Sequence, residues 1–313
     1  CVNGDIIKDK AIVEFVYDKD EEPLFRWKPL RVRDNLMPNA FSTAVNVWNT
    51  TFYPLTTDMI TTGNGIPDLC SKYYSDYKDK KSPMSNMAQF HNVVKKYLIQ
   101  DSSQPDYSLL DLGTGEGGDL FKWIGAKLGL VIGIEHNICN ITNITKGACK
   151  RILEARETRP NEELLKNTYI IWGDASKRIK TNESGMDALN RYYIDVLWGN
   201  TLSGTFIDRY NSENMDSGRG VCGDGFDIVS SMFCMHYFFK NKEMLYGFLQ
   251  NVSENLKMGG HFIATLFDGS KIFKLLEKKD IVETRDSDGK LCWSIKKNYK
   301  NTKLSSNESS LGM

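Results

Sequence analysis

The chain has 313 residues, and its 40 basic and 40 acidic side chains give a formal net charge of zero at pH 7. This balance excludes a global basic field for tight non-specific binding to nucleic acid. No apolar run is long enough to span a membrane, and the first residues do not resemble a signal peptide. The seven cysteines are scattered without a C-x-x-C pair, which predicts reduced thiols in a cytoplasmic protein and no metal site.

The first part of the chain predicts a strand pair, a connector and a helix. Residues 11–17 and 25–32 are predicted strands, joined by a charged turn that contains Pro23. Residues 51–82 are rich in Thr, Gly, Asp, Ser and Lys and are interpreted as a connector. Residues 86–100 repeat apolar side chains at helical spacing. The predicted apolar face of this helix comprises Phe90, Val93, Val94, Tyr97 and Leu98.

From residue 107 onward, predicted strands and helices alternate. The strands are 107–112, 128–135, 168–172, 226–232 and 261–267. The helices are 119–127, 138–156, 241–257 and 270–278. A glycine pair at 259–260 predicts a stop for the third of these helices, and residues 174–224 form a long insertion. This alternation predicts an α/β fold with a mostly parallel sheet and helices on both faces.

The most informative segment joins the first of these strands to its helix. Residues 110–120 read Leu-Asp-Leu-Gly-Thr-Gly-Glu-Gly-Gly-Asp-Leu, so an apolar strand ends in a glycine-rich turn that leads into a helix. Glycine lets the backbone approach a ligand closely, and a helix N-terminus offers free N–H groups. This order therefore predicts a site for a nucleotide-like cofactor. The spacing also satisfies G-x-G-x-x-G, so the glycines alone do not identify that cofactor.

Acidic residues lie at or near the boundaries of several predicted strands: Asp111, Glu135, Asp174 and Asp227. Glu135 lies 22 residues after Gly113, where an acid can bind the ribose diol of NAD or of S-adenosylmethionine. Asp174 follows the third strand, where methyltransferases hold the adenine amino group. Asp111 lies two residues before Gly113, just ahead of the glycine-rich turn, which is also usual in methyltransferases. Helix capping or a solvated turn stays open as an alternative for each acid.

Aromatic residues follow the fourth strand, within residues 230–239. Taken by itself, this segment is a buried strand that runs into an aromatic part of the core. At the carboxyl end of such a strand, His236 and Tyr237 could instead hold a flat base by stacking. His91 and His236 both fall in candidate site segments and form no metal-ligand pattern with the cysteines.

Several of these segments resemble, in the same order, those of the mRNA cap guanine-N7 methyltransferases. Residues 110–123 resemble their motif I, and residues 226–238 resemble their fourth-strand motif. Residues 259–269 resemble their fifth strand, most like the branch from large DNA viruses, and residues 87–99 resemble the helix that closes the site. The resemblance covers roughly residues 85–300. It implies a class I S-adenosylmethionine-dependent methyltransferase with a Rossmann-like fold.

The resemblance implies transfer of a methyl group from S-adenosyl-L-methionine to N7 of the cap guanine, which converts GpppN-RNA to m7GpppN-RNA and leaves S-adenosyl-L-homocysteine. The residues implied to hold the donor are Lys95, Asp111, Gly113, Gly115, Asp119, Glu135, Asp174, Ala175 and Met232. The residues implied to frame the guanosine are His91, Asn92, Phe233, His236 and Tyr237. Charge and placement suggest Lys146, Lys150 or Arg151 for the triphosphate. Guanine N7 gives up no proton, so no residue is expected to act as an acid or base.

Residues 26–39 resemble the last motif of capping guanylyltransferases, although the Lys-x-Asp-Gly nucleophile motif of that family is absent. The implied organisation is the end of an oligonucleotide-binding-type domain at 1–50, a linker at 51–84 and the methyltransferase domain at 85–313. The implied partners are capped RNA and the guanylyltransferase and triphosphatase domains of the same viral polypeptide, in the cytoplasm or in the virion. A basic β-hairpin on a surface is the alternative for the first segment.

Two substitutions and the C-terminal end depart from the family pattern. Glu116 stands where cellular members usually carry a lysine that faces the cap phosphate, and Met232 stands where glutamine is frequent. The chain ends soon after the strand-like residues 291–296, so the guanine pocket is expected to lack further strands. Three alternatives stay open: a methyltransferase of another RNA or small molecule, a non-catalytic S-adenosylmethionine-binding module, and, least favoured, a nicotinamide oxidoreductase.

Overall fold

The computed structural model describes residues 1–33, 47, 57, 85–200 and 218–300. The chain divides into two compact units, Cys1–Tyr73 and Tyr74–Met313. The predicted connector lies outside the described residues, apart from Thr57. Among the described residues, the helices are too short or too polar to cross a membrane.

The first unit contains the predicted strand pair. Strand β1 (Val13–Tyr17) pairs antiparallel with β2 (Trp27–Val32). The ammonium of Lys28 on β2 lies 2.8 Å from the Asp18 carboxylate and 2.9 Å from the Glu21 carboxylate. These ion pairs tie β2 to the charged turn that joins the two strands. The assignment of this unit to a guanylyltransferase remains a prediction.

The first described element of the second unit is helix α1 (Ser85–Asp101), which confirms the predicted helix. Five parallel strands follow among the described residues: β3 (Ser108–Leu112), β4 (Leu130–Glu135), β5 (Thr168–Trp172), β6 (Phe226–Met232) and β7 (Leu256–Thr265). Their order across the sheet is β5-β4-β3-β6-β7. The α-helices between and after them, in the part of the chain that the structure describes, are α2 (Leu120–Gly125), α3 (Ile138–Thr142), α4 (Ala148–Thr158), α5 (Ala188–Trp198), α6 (Lys242–Asn255) and α7 (Gly269–Leu275). A final hairpin pairs β8 (Ile281–Arg285) with β9 (Leu291–Lys296).

Apolar side chains on both faces of this sheet are buried. Leu110 and Leu112 on β3 belong to a core cluster shared with α5 and α6, whereas Leu109 belongs to a second cluster shared with α1, α2 and α4. Successive strand residues point to opposite faces, so a strand covered by helices on both sides is apolar throughout. The predicted α/β fold with a parallel sheet is therefore confirmed.

The predicted helix 138–156 is wrong as a single element, because it is interrupted between α3 and α4. The Asn143 side chain accepts hydrogen bonds from the backbone N–H groups of Thr145 (2.9 Å) and Lys146 (3.2 Å). Such a side chain–backbone turn competes with the helix. A Cβ at Gly147 would lie 2.6 Å from the Asn143 carbonyl oxygen, so the chain can turn this tightly only with glycine.

The predicted glycine stop after the helix at 241–257 is also wrong. Helix α6 ends at Asn255, and β7 starts at the next residue, so Gly259 and Gly260 lie inside the strand. The β6–β7 pairing shifts its register near Phe226, and a Cβ at Gly260 would lie 2.8 Å from the Asp227 carbonyl oxygen. Gly260 therefore permits a close approach of β7 to β6 beside the irregular pairing, and the glycine pair does not end a helix.

The predicted apolar face of α1 is only partly a core face. Phe90, Val93 and Tyr97 are 65%, 50% and 68% exposed. Leu98 packs against the second core cluster, the one that contains Leu109, and Ile99 is a fully buried member of that cluster. The buried stripe of α1 is thus rotated from the one predicted by spacing.

The cysteine prediction holds for Cys1, Cys149, Cys222, Cys234 and Cys292, which carry free thiols. It is wrong for Cys139, which is disulfide-bonded. Burial raises the pKa of the Cys222 and Cys234 thiols, so both stay protonated at neutral pH.

Candidate functional site

The candidate site lies beyond the carboxyl ends of the parallel strands. Strands β4 and β6 lie on opposite sides of β3, so the connections leaving β3 and β6 diverge and open a crevice there. The loop after β3 contains Gly113, Gly115 and Gly117, with φ of +92°, +61° and +68°. L-residues rarely adopt this conformation. A Cβ at Gly113 would also lie 2.6 Å from the Cβ of Cys234, so the segment that follows β6 packs closely against the glycine loop.

Glu135, at the end of β4, lies against this loop and is 7% exposed. One carboxylate oxygen accepts a hydrogen bond from the Gly115 N–H at 2.7 Å. The other accepts from the Asn137 N–H at 2.8 Å and from the Asn140 side-chain amide at 3.0 Å. The carboxylate is thus fixed in orientation, and the oxygen that accepts only from Gly115 keeps acceptor capacity for a ligand hydroxyl.

Asp111 is buried at the base of the loop. Its carboxylate accepts a hydrogen bond of 2.6 Å from the Ser230 hydroxyl on the neighbouring strand β6. Burial raises the pKa of Asp111 to about 7, although the Ser230 hydrogen bond opposes that shift. At neutral pH this side chain is therefore close to the midpoint between its neutral and charged forms.

Asp119, at the start of α2, collects two ammonium groups. The Lys95 Nζ lies 2.7 Å and the Lys122 Nζ 2.8 Å from the same Asp119 carboxylate oxygen. Only 16% of the Lys95 side chain is exposed, and its contact with Asp119 brings it from α1 to the start of α2. The structure thus brings the predicted Lys95 and Asp119 together beside the glycine loop.

The remaining predicted donor residues lie at the ends of other strands. Asp174, after β5, accepts hydrogen bonds from the Ser176 N–H (2.8 Å) and hydroxyl (2.7 Å). Ala175 is 5% exposed with its side chain in the core, so its backbone is the part that a ligand could meet. Met232, the last residue of β6, is half-buried, and its sulfur lies 3.7 Å from the Thr265 hydroxyl.

On the other side of the crevice, α1 contacts the residue that follows β6. The His91 and Phe233 rings lie 4.5 Å apart with an interplanar angle of 42°. Phe233 has φ of +56°, which is unfavourable for a residue with a side chain. Its N–H group is held by the Thr265 carbonyl (2.9 Å) and the Thr265 hydroxyl (3.0 Å). Asn92, next to His91, is exposed.

His236 lies between two aromatic side chains. Its ring is 4.3 Å from the Tyr237 ring and 5.0 Å from the Phe267 ring, the latter edge to face. Burial lowers the pKa of His236, so the imidazole is neutral at pH 7. Tyr237 and Phe267 are 45% and 58% exposed, so both present ring surface to a ligand.

The three residues suggested for the triphosphate lie around α4, and each has a protein partner. The Lys146 ammonium lies 3.3 Å from the Glu116 carboxylate, and the Lys150 ammonium lies 3.0 Å from Glu154. Arg151 donates its Nε hydrogen bond to the Glu116 carbonyl at 2.9 Å. Glu116 therefore draws Lys146 and Arg151 to the rim of the glycine loop.

Sequence reasoning missed the residues that orient the predicted ones. Ser230 on Asp111, Asn140 on Glu135 and Thr265 on Phe233 were not assigned a role. Ser230 pairs directly with Asp111 across β3 and β6. Identifying this pair requires knowing that β3 and β6 are neighbours and how their residues are aligned. The pattern of apolar and polar residues in the sequence gives neither.

Comparisons with known proteins agree on one family. The family model described as the mRNA (guanine-N(7))-methyltransferase domain matches residues 68–312. A probable mRNA-capping enzyme from Acanthamoeba polyphaga mimivirus is 25% identical over 96% of this chain and 27% of its own length. The mRNA cap guanine-N(7) methyltransferase 1 from Arabidopsis thaliana is 29% identical over 66% of this chain and 45% of its own.

Among solved structures, a SAM-dependent methyltransferase from Geobacter sulfurreducens in complex with S-adenosyl-L-homocysteine covers 59% of this chain and 53% of its own. It does so at 12% identity and a TM-score of 0.29. The chain spans 27% and 45% of the length of the two curated relatives. The family model, in contrast, covers most of the chain and includes the whole parallel sheet. The chain therefore belongs to the family of mRNA (guanine-N(7))-methyltransferase domains.

Proposed function

We propose that this domain transfers a methyl group from S-adenosyl-L-methionine to N7 of the guanine in a GpppN cap. The observation that carries the proposal is the juxtaposition of two kinds of surface at one sheet edge. A glycine loop with the fixed carboxylate of Glu135 forms one side, and partly exposed aromatic rings after β6 form the other. A nucleoside-containing donor suits the first surface and a flat base suits the second.

The residues on the donor side fit S-adenosylmethionine. Gly113 and Gly115 offer backbone without side chains, and the Glu135 oxygen that accepts from Gly115 can also accept a hydrogen bond from a ribose hydroxyl. Asp174 is assigned to the adenine amino group, with the backbone of Ala175 beside it. Lys95 is assigned to the carboxylate of the donor's methionine part, where it balances the nearby Asp119.

Met232 and Asp111 complete the donor side. Met232 ends β6 between the two surfaces and is assigned to the wall near the sulfur of the donor. Asp111 holds the base of the glycine loop through Ser230 and shares its electrostatic environment with Asp119 and Lys95. A cationic amino group of the donor beside Asp111 would favour the charged form of that carboxyl.

The cap side orients guanine without moving a proton. Phe233 and Tyr237 are assigned to stack on the base, with His91 and Asn92 toward the guanosine. The neutral His236 ring places no positive charge beside a base that becomes positively charged when N7 is methylated. When bound, S-adenosylmethionine supplies an electrophilic methyl group, so the protein's contribution is orientation and electrostatics.

The substrate of the whole protein is proposed to be capped RNA. Lys146, Lys150 and Arg151 are assigned to the cap triphosphate, with Lys146 exchanging its contact with Glu116 for a phosphate. Residues 1–50 are proposed to end a guanylyltransferase domain of the same polypeptide. That polypeptide would cap viral mRNA in the cytoplasm, together with a triphosphatase domain.

Methyl transfer from labelled S-adenosylmethionine to GpppA and to m7GpppA, compared in parallel, tests this proposal. We expect transfer to GpppA and none to the cap that already carries the methyl group. Tyr237→Ala should reduce this transfer at least about tenfold while the affinity for S-adenosylhomocysteine stays within about twofold. Tyr246→Ala, on the exposed side of α6, is the matched control. Equal transfer to both caps, or equal losses of transfer and donor affinity in Tyr237→Ala, would contradict the proposal.

A further inference from the structure

We propose that Thr265 is a positioning residue for the cap guanine, because its hydroxyl fixes the turn that connects the donor side of the site to the cap side. The inference rests on the proposed function, since it assumes that Phe233 contacts the guanine. Thr265 is the last residue of β7 and lies beside the end of β6 in the sheet.

The Thr265 hydroxyl contacts two consecutive residues of the site. It accepts a hydrogen bond from the Phe233 N–H at 3.0 Å, and it donates toward the Met232 sulfur at 3.7 Å. The Thr265 carbonyl accepts from the same Phe233 N–H at 2.9 Å. A hydroxyl has one hydrogen to donate and lone pairs to accept, so both contacts can exist together.

These contacts hold a conformation that Phe233 does not prefer. Its φ of +56° lies in the left-handed region, which is unfavourable for a residue with a Cβ. Threonine is branched at Cβ and therefore stiff at χ1, so its hydroxyl is a fixed acceptor. The fixed turn keeps the Phe233 ring against His91, at 4.5 Å between ring centres.

The loss of this hydroxyl should act on the cap side more than on the donor side. Phe233 would lose one of two acceptors for its N–H, and the turn would relax toward negative φ and withdraw the ring from His91. Met232 would lose only a weak contact, because a thioether is a poor acceptor. Thr265 thus acts through Phe233 and is not itself a catalytic residue.

Thr265→Val keeps the branched shape and removes the hydroxyl. We expect kcat/KM for GpppA to fall about five- to tenfold, with the Kd of S-adenosylhomocysteine within about twofold of the wild-type value. Thr265→Ser should restore most of kcat/KM. Thr168→Val is the control, because it also removes a threonine hydroxyl that makes a hydrogen bond, here to the Leu164 carbonyl at 2.7 Å. Thr168 is the first residue of β5, whereas the candidate site lies beyond the last residues of the strands.

A double-mutant cycle with Phe233→Gly separates positioning from simple packing, because glycine adopts positive φ without cost. Thr265→Val should lower kcat/KM and the melting temperature in the wild-type background and neither of them in the Phe233→Gly background. Equal losses in both backgrounds, or no loss in either, would overturn the inference. A wild-type domain that does not methylate GpppA would instead overturn the proposed function.

Discussion

At the scale of single residues, Gly113 has two reasons to be glycine. Its φ is +92°, and a Cβ would lie 2.6 Å from the Cβ of Cys234. Gly113→Ala should therefore weaken binding of S-adenosylhomocysteine at least about tenfold and lower the free energy of unfolding by about 2 kcal/mol. Gly118, in the same loop, is the control, because a Cβ at that residue would have no atom within 4 Å. Calorimetry and urea unfolding measure both effects, and similar behaviour of Gly113→Ala and Gly118→Ala would contradict this account of the loop.

The buried carboxyl of Asp111 predicts a pH dependence of stability. Because burial raises its pKa from 3.8 to about 7, the folded state binds the proton more tightly than the unfolded state. This stabilisation is complete below the unfolded pKa and is lost as the pH rises through about 7. In the absence of donor, Asp111→Asn should therefore raise the free energy of unfolding by up to about 4 kcal/mol at about pH 8.

The same substitution should have little effect below about pH 3, where Asp111 is neutral in both states. Asp227→Asn is the contrasting control. Burial would raise the pKa of Asp227, but hydrogen bonds from Ser108 and Lys257 outweigh burial and lower it. Asp227→Asn should thus destabilise the protein at neutral pH. A pH profile of the melting temperature that is unchanged by Asp111→Asn would show that this carboxyl does not titrate as described.

At the scale of elements, the break between α3 and α4 places Lys146 and Arg151 beside the glycine loop. A Cβ at Gly147 would lie 2.6 Å and 2.7 Å from backbone atoms of Asn143 and 2.7 Å from the Ile141 carbonyl oxygen. Backbone cannot move away as a flexible side chain can, so Gly147→Ala should lower the free energy of unfolding by about 2–3 kcal/mol.

Gly125, the last residue of α2, is the matched control for that prediction. A Cβ there has no atom within 4 Å, and alanine favours helix over glycine. Gly125→Ala should leave stability unchanged or raise it by up to about 1 kcal/mol. Urea unfolding of both variants measures the difference. A Gly147→Ala protein as stable as Gly125→Ala would mean that α3 and α4 are not separated by a tight turn.

Periodicity predicted the elements whose apolar residues form a continuous or alternating run. Strands β5, β6 and β9 have the predicted bounds, because their apolar runs are flanked by polar or glycine-containing turns. Periodicity failed where strand pairing or a specific side-chain contact decides the structure. The strand β7 starts five residues before the prediction because it pairs with β6, and the interruption before α4 follows from the Asn143 side chain. The strand β8 was not predicted at all.

The candidate site was predicted only in part, because the order of elements locates residues at strand ends but does not identify their contacts. Residues at strand ends, such as Glu135 and His236, can be located from the order of elements, since parallel strands end at one edge. Their partners depend on register and on backbone conformation. The positive φ of Phe233 and the contacts of Thr265 are set by the β6–β7 pairing, which no local pattern encodes.

At the scale of the whole molecule, the formal net charge is zero, with 40 basic and 40 acidic side chains. Without a global positive field, RNA beyond the cap should add little to binding by this chain. We expect KM for a capped RNA of about 20 nucleotides to lie within about threefold of KM for GpppA at about 150 mM salt. A KM lowered more than about thirtyfold by the longer RNA, and restored by added salt, would reveal an RNA-binding surface outside the cap site.

The position of the transferred methyl group tests the central claim most directly. GpppA is incubated with S-adenosylmethionine labelled in the methyl group, the product is cleaved to nucleosides, and these are separated by chromatography. The proposed site holds guanine between Phe233, His236 and Tyr237, so all label should elute as 7-methylguanosine. Label on the adenosine ribose, or unlabelled nucleosides from a protein that still binds S-adenosylhomocysteine, would contradict the assignment of this domain as a cap guanine-N7 methyltransferase.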